Sequence, residues 1–203
     1  MDGLLFSMLH FLAILNPFAL CLYLAGVMDD LESHDFKRVL TWASVISLAV
    51  FWLFALAGET LLVNIIGVRP AALRAFGGVI FFVIAYNYVT KGYKAAVILR
   101  GSLDELHSAI ALPYMIGAGT ITQSILVGEH NGPYFSMLII FLALLITLIC
   151  VQTFKFVRDR LRDRRERLFE RYVNILCRIN GLLIGAISTE MVVSGVHKLW
   201  LNG

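Results

Sequence analysis

The stretch that decides the fold is the apolar segment AILNPFALCLYLAGV, residues 13–27, which has a helix breaker near its centre. Proline lacks a backbone N–H and clashes with the carbonyl four residues earlier, and the residue before it avoids helical angles. Inside a bilayer an unsatisfied backbone group costs several kcal/mol, so a break is tolerated only where protein or a water-filled cavity surrounds it. The break at Asn16-Pro17 therefore predicts that protein or a water-filled cavity surrounds it, and it raises the question of what binds there.

The composition of the chain is that of an integral membrane protein. Of its 203 residues 59% are hydrophobic and 15% charged, whereas soluble domains have about 45–50% apolar and about 25% charged residues. The mean hydropathy is +0.81. The N-terminus has neither a basic region nor a small-x-small cleavage site, so we expect the first apolar segment to stay in the mature protein.

Six apolar segments have roughly the length of about 20 residues that crosses a bilayer as a helix. They are 4–28, 39–58, 71–90, 108–128, 134–157 and 178–200. We therefore predict an all-α polytopic membrane protein with six transmembrane helices in a single transporter domain, residues 1–203.

The distribution of Lys and Arg predicts the orientation, because these residues are enriched in cytoplasmic loops. With six spans, only Arg69, Arg74 and Lys198 of the 17 Lys and Arg residues share a side with the termini. The prediction is a protein of the cytoplasmic (inner) membrane with both termini outside. The basic segment 155–172 is expected to be a cytoplasmic helix that contacts lipid headgroups. A nucleic-acid contact is the alternative, and we expect no nucleic-acid partner.

The third and sixth spans resemble each other, which indicates an internal repeat. At an offset of 103 positions, Gly78 aligns with Gly181 and Gly92 aligns with Gly195. The repeats, about 1–92 and about 105–200, would each hold three spans, and an odd number forces the second repeat to insert upside down. This inverted-repeat plan is typical of secondary transporters, whose sites are formed by discontinuous helices.

Spans 1 and 4 are predicted to be the discontinuous helices, and their breaks are expected to converge. The half-helices that follow the breaks would start near mid-depth, and a helix N-terminus offers free N–H groups and partial positive charge to a carboxylate. A proline kink packed against neighbouring helices is the alternative. The candidate substrate-binding residues are Asn16, Pro17, Phe18, Pro113, Gly117, Gly119, Thr120, Thr122 and Gln123.

Glu190 lies midway along the sixth span, where a charge costs about 2.5–3.5 kcal/mol and often marks a pathway or a proton relay. It is the candidate for coupling to H⁺ or Na⁺. A neutral acid that hydrogen-bonds between helices is the alternative. The histidines and the three cysteines lack metal-ligand spacing, so we expect no metal and no other cofactor.

Four motifs resemble the MarC family of bacterial and archaeal membrane proteins, in the right order and over nearly the whole chain. They are NPFAL (16–20), IIGVRPAALRAFGGVIFFVIA (65–85), ALPYMIGAGTITQSI (111–125) and RINGLLIGAISTEMVVSG (178–195). The resemblance implies six spans, transport of small neutral amino acids such as glycine and alanine, and a substrate held at the two breaks. The family usually has proline where this chain has Ala118, and an uncharged Gln where it has Glu190.

The sequence therefore predicts a secondary transporter of small neutral amino acids that alternates access around a mid-membrane site, and not an enzyme. A LysE-like metabolite exporter is one alternative, but its first span favours a Pro-Gly-Pro break that is absent here. An intramembrane enzyme is another, although it needs clustered acids or a nucleophile with its base. A channel is separated from a carrier only by flux kinetics. The direction of transport, the coupling ion and the oligomeric state, a homo-oligomer included, stay open.

Overall fold

The computed structural model describes residues 2–92 and 115–201, except for the side chains of residues 2, 26, 59 and 161–171. Within these ranges every regular element is helical. The elements are α1 (Asp2–Leu15), α2 (Pro17–Tyr23), α3 (Ala25–Asp30), α4 (Ser33–Glu59), a π-helix (Thr60–Ile66), α5 (Pro70–Lys91) and α6 (Ala118–Leu201).

The first span is discontinuous at Asn16, as predicted. Asn16 has left-handed backbone angles, φ 47° and ψ 74°, which Asn adopts more readily than most residues. Its side-chain Oδ1 accepts a hydrogen bond of 3.0 Å from the Ala19 N–H, and Pro17 occupies the first position of α2, where no N–H is needed. Met28 N–H donates to the Leu24 carbonyl at 2.8 Å. Helical bonding thus crosses Leu24, and α2 and α3 form one half-helix.

A second break precedes α6. Gly117 is not helical and α6 begins at Ala118. The Gly117 N–H donates to Thr120 Oγ1 at 2.9 Å, and the same hydroxyl lies 3.0 Å from the Met115 carbonyl oxygen. The hydroxyl of Thr120 therefore fixes the entry of the chain into α6. Pro113, on the far side of the predicted break, lies outside the described residues.

The helical path of α6 reverses at Gly132-Pro133. Gly132 has a positive φ of 72°, and Ser136 Oγ donates to the Val127 carbonyl at 2.8 Å. Nine residues cover about 13.5 Å in a straight helix, so this hydrogen bond requires the chain to fold back. A left-handed glycine followed by proline is a common way to end a helix.

Five helical segments are long and apolar enough to cross a membrane. They are Gly3–Tyr23, Ser33–Gly58, Pro70–Lys91, Ala118–Arg160 and Tyr172–Leu201. The described residues thus give five candidate spans where six were predicted. The reversal at Gly132 lies inside the longest of them, which has 43 residues.

One end of the molecule is held together by two buried cationic side chains of α6. Lys155 Nζ donates to the carbonyl oxygens of Met28 at 2.8 Å and Leu31 at 3.1 Å. Arg158 forms an ion pair with Asp29. These groups lie at the C-terminal end of the half-helix formed by α2 and α3, where cations bind the last carbonyls and oppose the negative end of the helix dipole. We call this region the basic end.

Candidate functional site

A small cavity lies beside the Asn16 break, and both helix breaks border it. Its volume is about 30 Å³. Asn16 and Ala19 come from the first break and Thr120 from the second, while Phe81 of α5 and Ile184 of α6 complete the wall. We call it the central cavity. One residue from each break, Asn16 and Thr120, therefore borders the same cavity.

The Asn16 amide forms one wall and is held from two sides. Its Oδ1 caps α2 through the Ala19 N–H, and its Nδ2 donates to Asn180 Oδ1 at 3.3 Å. Asn180 is buried in α6, so this bond ties the first break to the last span. Sequence reasoning missed Asn180, although a polar amide within an apolar span was a usable signal.

The second wall is the first turn of α6. The amides of Ala118, Gly119 and Thr120 have no acceptor within their own helix because they belong to its first turn. A Cβ on Gly119 would lie 2.9 Å from Met191 Cε and 3.2 Å from Phe81 Cε2. Glycine thus permits close packing of this turn against α5 and α6. The arrangement offers N–H donors and the positive end of a helix dipole to an anionic group.

The central cavity is small and partly open to its surroundings. A buried water needs about 10–15 Å³ of comparable volume, so about 30 Å³ holds a couple of waters. Even the smallest amino acid is larger than that. An amino acid could therefore bind in the central cavity only after the walls of the cavity had moved apart.

Asn16 and Thr120 are the predicted site residues that line the central cavity. Pro17 starts α2, and Phe18 is 42% exposed and lies outside the cavity lining. The hydroxyl of Thr122 donates to the Ala118 carbonyl of its own helix at 2.8 Å. These three residues therefore shape the breaks without bordering the cavity.

The remaining candidates are placed differently. The Gly117 N–H donates a hydrogen bond to Thr120 Oγ1. Gly119 packs closely against Met191 and Phe81. Gln123 lines a separate, larger groove between α1 and the first part of α6. Glu190 is exposed on the surface of α6 and does not line the cavity. Among the described residues it has no hydrogen bond or ion pair, and its predicted coupling role stays a prediction.

An all-helical chain whose described residues include five helices long and apolar enough to cross a membrane is an integral membrane protein. The chain belongs to the MarC family of integral membrane proteins, whose family profile matches residues 1–200.

Relatives of similar length span both bacteria and archaea. The UPF0056 membrane protein of Aquifex aeolicus is 28% identical, over 97% of this chain and 94% of that protein. The UPF0056 membrane protein PH0214 of Pyrococcus horikoshii is 24% identical, over 98% and 96%. The UPF0056 inner membrane protein YhgN of Escherichia coli is 24% identical over the whole of both chains. No solved structure gives a significant match.

Proposed function

We propose that the protein is a secondary transporter of small neutral amino acids, of the glycine and alanine class, that alternates access at the central cavity. The observation that carries the proposal is that Asn16 and Thr120, from two separate helix breaks, border one cavity. A single break is explained by a packed proline kink. Two breaks at one cavity instead place the N-terminal residues of two half-helices, each with partial positive charge, beside the same space.

The packing of α5 against the last part of α6 supports an inverted repeat. Gly78 of α5 and Gly92 directly after it each pack against residues of α6. Adding the repeat offset of 103 positions to either glycine and subtracting it from its partners gives a second glycine and the partners of that glycine. A Cβ on Gly78 would collide with Ser188 and Val192. A Cβ on Gly181 would lie 3.0–3.2 Å from Tyr88, Val89 and Ala85, which is a tight contact. A Cβ on Gly92 would collide with Asn174, and one on Gly195 with Ala71. Contacts that exchange in this way are expected of two helices related by a local two-fold axis.

The six-span topology follows if the segment Ala118–Arg160 crosses twice. A straight helix of its 43 residues would be about 65 Å long, roughly twice the hydrocarbon thickness of about 30 Å. The reversal at Gly132 divides it. Both termini then lie outside and the basic end is cytoplasmic, in agreement with the charge distribution. Reporter fusions at Asp163 should be cytoplasmic and fusions at Gly203 external. The opposite result would overturn this orientation.

The chemistry of the cavity suits an amino acid zwitterion. The first-turn amides of Ala118, Gly119 and Thr120 are donors for the carboxylate. The amide oxygen of Asn16 and the carbonyls freed at the breaks are acceptors for the ammonium group. Phe81 and Ile184 leave little room for a side chain, which favours glycine and alanine over larger substrates.

The experiment is uptake into liposomes that contain the purified full chain. Labelled glycine, alanine, serine and leucine are tested under imposed proton and sodium gradients. We expect saturable uptake of the small amino acids, competition among them and weak uptake of leucine. Absence of flux for every amino acid would reject the transporter and return attention to a LysE-like substrate or to an intramembrane enzyme. Flux that does not saturate would indicate a channel.

A further inference from the structure

A groove of about 440 Å³ lies between α1 and the first part of α6, on the far side of the central cavity from the basic end. We call it the outer groove. Its polar lining residues are Ser7, His10, Gln123, His130 and Asn131, and its apolar ones include Phe6 and Leu126. Ligand sites for small molecules occupy about 300–1,000 Å³ and combine apolar walls with a few polar groups. The outer groove therefore has the size and the character of a binding site.

Three of its polar side chains already have partners. Asn131 Nδ2 donates to Ser7 Oγ at 3.2 Å and to the Val127 carbonyl at 3.0 Å, which links α1 to α6 across the groove. His130 Nδ1 lies 2.8 Å from the Leu126 carbonyl oxygen. Because a carbonyl only accepts, Nδ1 carries the proton of this bond. These contacts build the groove and need no ligand.

Gln123 and His10 are different. Gln123 is only 7% exposed and forms no hydrogen bond with the residues that the structure describes. Every fully buried side-chain N or O atom of the described residues has a partner, so the unbonded amide of Gln123 is accessible from the groove and open to a ligand. His10 stacks on Phe6, with ring centroids 6.1 Å apart. Its ring nitrogens form no hydrogen bond with any described residue. Both residues line the outer groove.

The outer groove lies next to the central cavity along both α1 and α6. Gln123 lies three residues, about 4.5 Å along the helix, from Thr120, which lines the cavity. His10 lies one turn from Ala13 and Ile14, which line it too. Gln123 and His10 therefore lie about one helical turn from residues that line the central cavity.

We infer that the outer groove is a second binding site for an amino acid zwitterion, separate from the central cavity and held by Gln123 and His10. The Gln123 amide N–H₂ donates to the carboxylate, and an unprotonated ring nitrogen of His10 accepts from the ammonium group. Phe6 and Leu126 accommodate a side chain, so this site is less selective for size than the central cavity. The inference deepens the proposed function and rests on it for the identity of the ligand.

The test is substrate protection of a cysteine placed in the groove. Leu126→Cys is made in a Cys150→Ser background, since Cys150 is exposed whereas Cys21 and Cys177 are buried. The full chain in lipid nanodiscs is treated with a water-soluble maleimide, with and without glycine or leucine. Tyr134→Cys, on the exposed turn outside the groove, is the matched control. Phe6→Cys probes the opposite wall if Leu126→Cys does not fold.

We expect both amino acids to slow modification of the groove cysteine and not of Tyr134→Cys. Adding Gln123→Leu removes a hydrogen bond to a charged group, about 1.5–3 kcal/mol, and should raise the half-protecting glycine concentration about tenfold or more. Flux in liposomes without protection would overturn the outer site and leave the transporter intact. Protection without flux would keep the site and reject transport. Failure of the maleimide to reach either cysteine would mean that lipid fills the groove and would overturn the inference.

Discussion

The two helix breaks occupy related places in the chain but use different chemistry. At the first break the residue with left-handed angles, Asn16, caps the next half-helix with its own side chain. At the second break Gly117 carries no side chain, and Thr120, three residues later, makes the contacts. Asn16 Oδ1 accepts a hydrogen bond from the Ala19 N–H, whereas Thr120 Oγ1 accepts one from the Gly117 N–H.

This difference assigns unequal roles to the two walls of the central cavity. The Asn16 amide is bonded within α2 and to Asn180, so the first wall is firmly held and depends on one side chain. The second wall is formed by Thr120, in the first turn of α6, where the amides of Ala118, Gly119 and Thr120 have no acceptor within their own helix. We expect the first break to govern the stability and closure of the site and the second to bind the carboxylate.

The largest effect is expected from Gly119→Leu, which acts on the second wall. A Cβ there already meets Met191 and Phe81, so the larger side chain should push Phe81 into the cavity and abolish glycine flux. Overpacking of this kind costs about 1–3 kcal/mol, which thermal unfolding in detergent would measure. Gly185→Leu is the control, because a Cβ there meets only Ala85 Cβ at 3.7 Å. Normal flux in Gly119→Leu would place the substrate elsewhere.

Asn16→Ala tests the first wall. It removes a helix cap, worth about 0.5–2 kcal/mol, and places alanine at a left-handed position, which costs about 1–2 kcal/mol. We expect a clear fall in the free energy of unfolding and a raised apparent Michaelis constant for glycine. Asn87→Ala is the matched control, since Asn87 Nδ2 bonds only to Val83 O of its own helix. Equal losses in the two variants would remove the special role of Asn16.

Thr120→Val tests the second break, because it replaces the Thr120 hydroxyl with a methyl group of similar size. It leaves the Gly117 N–H and the Met115 carbonyl without their described partner, and a buried unsatisfied group costs about 1–3 kcal/mol. Thr122→Val also removes a buried hydroxyl, but that hydroxyl bonds only within its own helix. Stability and glycine uptake should both fall more in Thr120→Val. If Thr122→Val is equally damaging, the hydroxyl does not organise the break.

Glu190→Gln should have the smallest effect. Glu190 is exposed on α6 and lies outside both walls of the central cavity. We expect substrate exchange to match the parent protein, and the response to proton and sodium gradients tests the predicted coupling role of Glu190. Uptake that loses its response to a gradient while exchange persists would instead identify Glu190 as the coupling residue.

The features that follow from local chemistry were predictable from the sequence. Asn16-Pro17 cannot continue a helix, Gly117 precedes a clear helical run, and Gly132-Pro133 falls in the predicted gap between the fourth and fifth apolar segments. Each signal depends on the residue and its neighbours in the chain. The breaks and the apolar segments were therefore found without knowledge of the packing.

The orientation of side chains around each helix axis was harder to predict. Gly181, Gly185 and Ser188 share a packing face, and Glu190 lies two residues or about 200° further round the helix from Ser188. This spacing indicates that Glu190 lies on the opposite side of α6 from the packing face of Gly181, Gly185 and Ser188. The bond from Asn16 to Asn180 depends on helices that are distant in sequence, and no local pattern indicates it.

Exchange of labelled glycine in liposomes loaded with unlabelled glycine tests most directly whether the transport site lies between the two breaks. The parent protein is compared with Ala19→Leu. Ala19 is buried in the first turn of α2 and lines the central cavity, so leucine there should occupy the space that the substrate needs. Ala186→Leu, at an exposed position of α6, controls for the added volume. We predict saturable exchange in the parent and in Ala186→Leu, and none in folded Ala19→Leu. Parental exchange in Ala19→Leu would contradict a transport site between the two breaks.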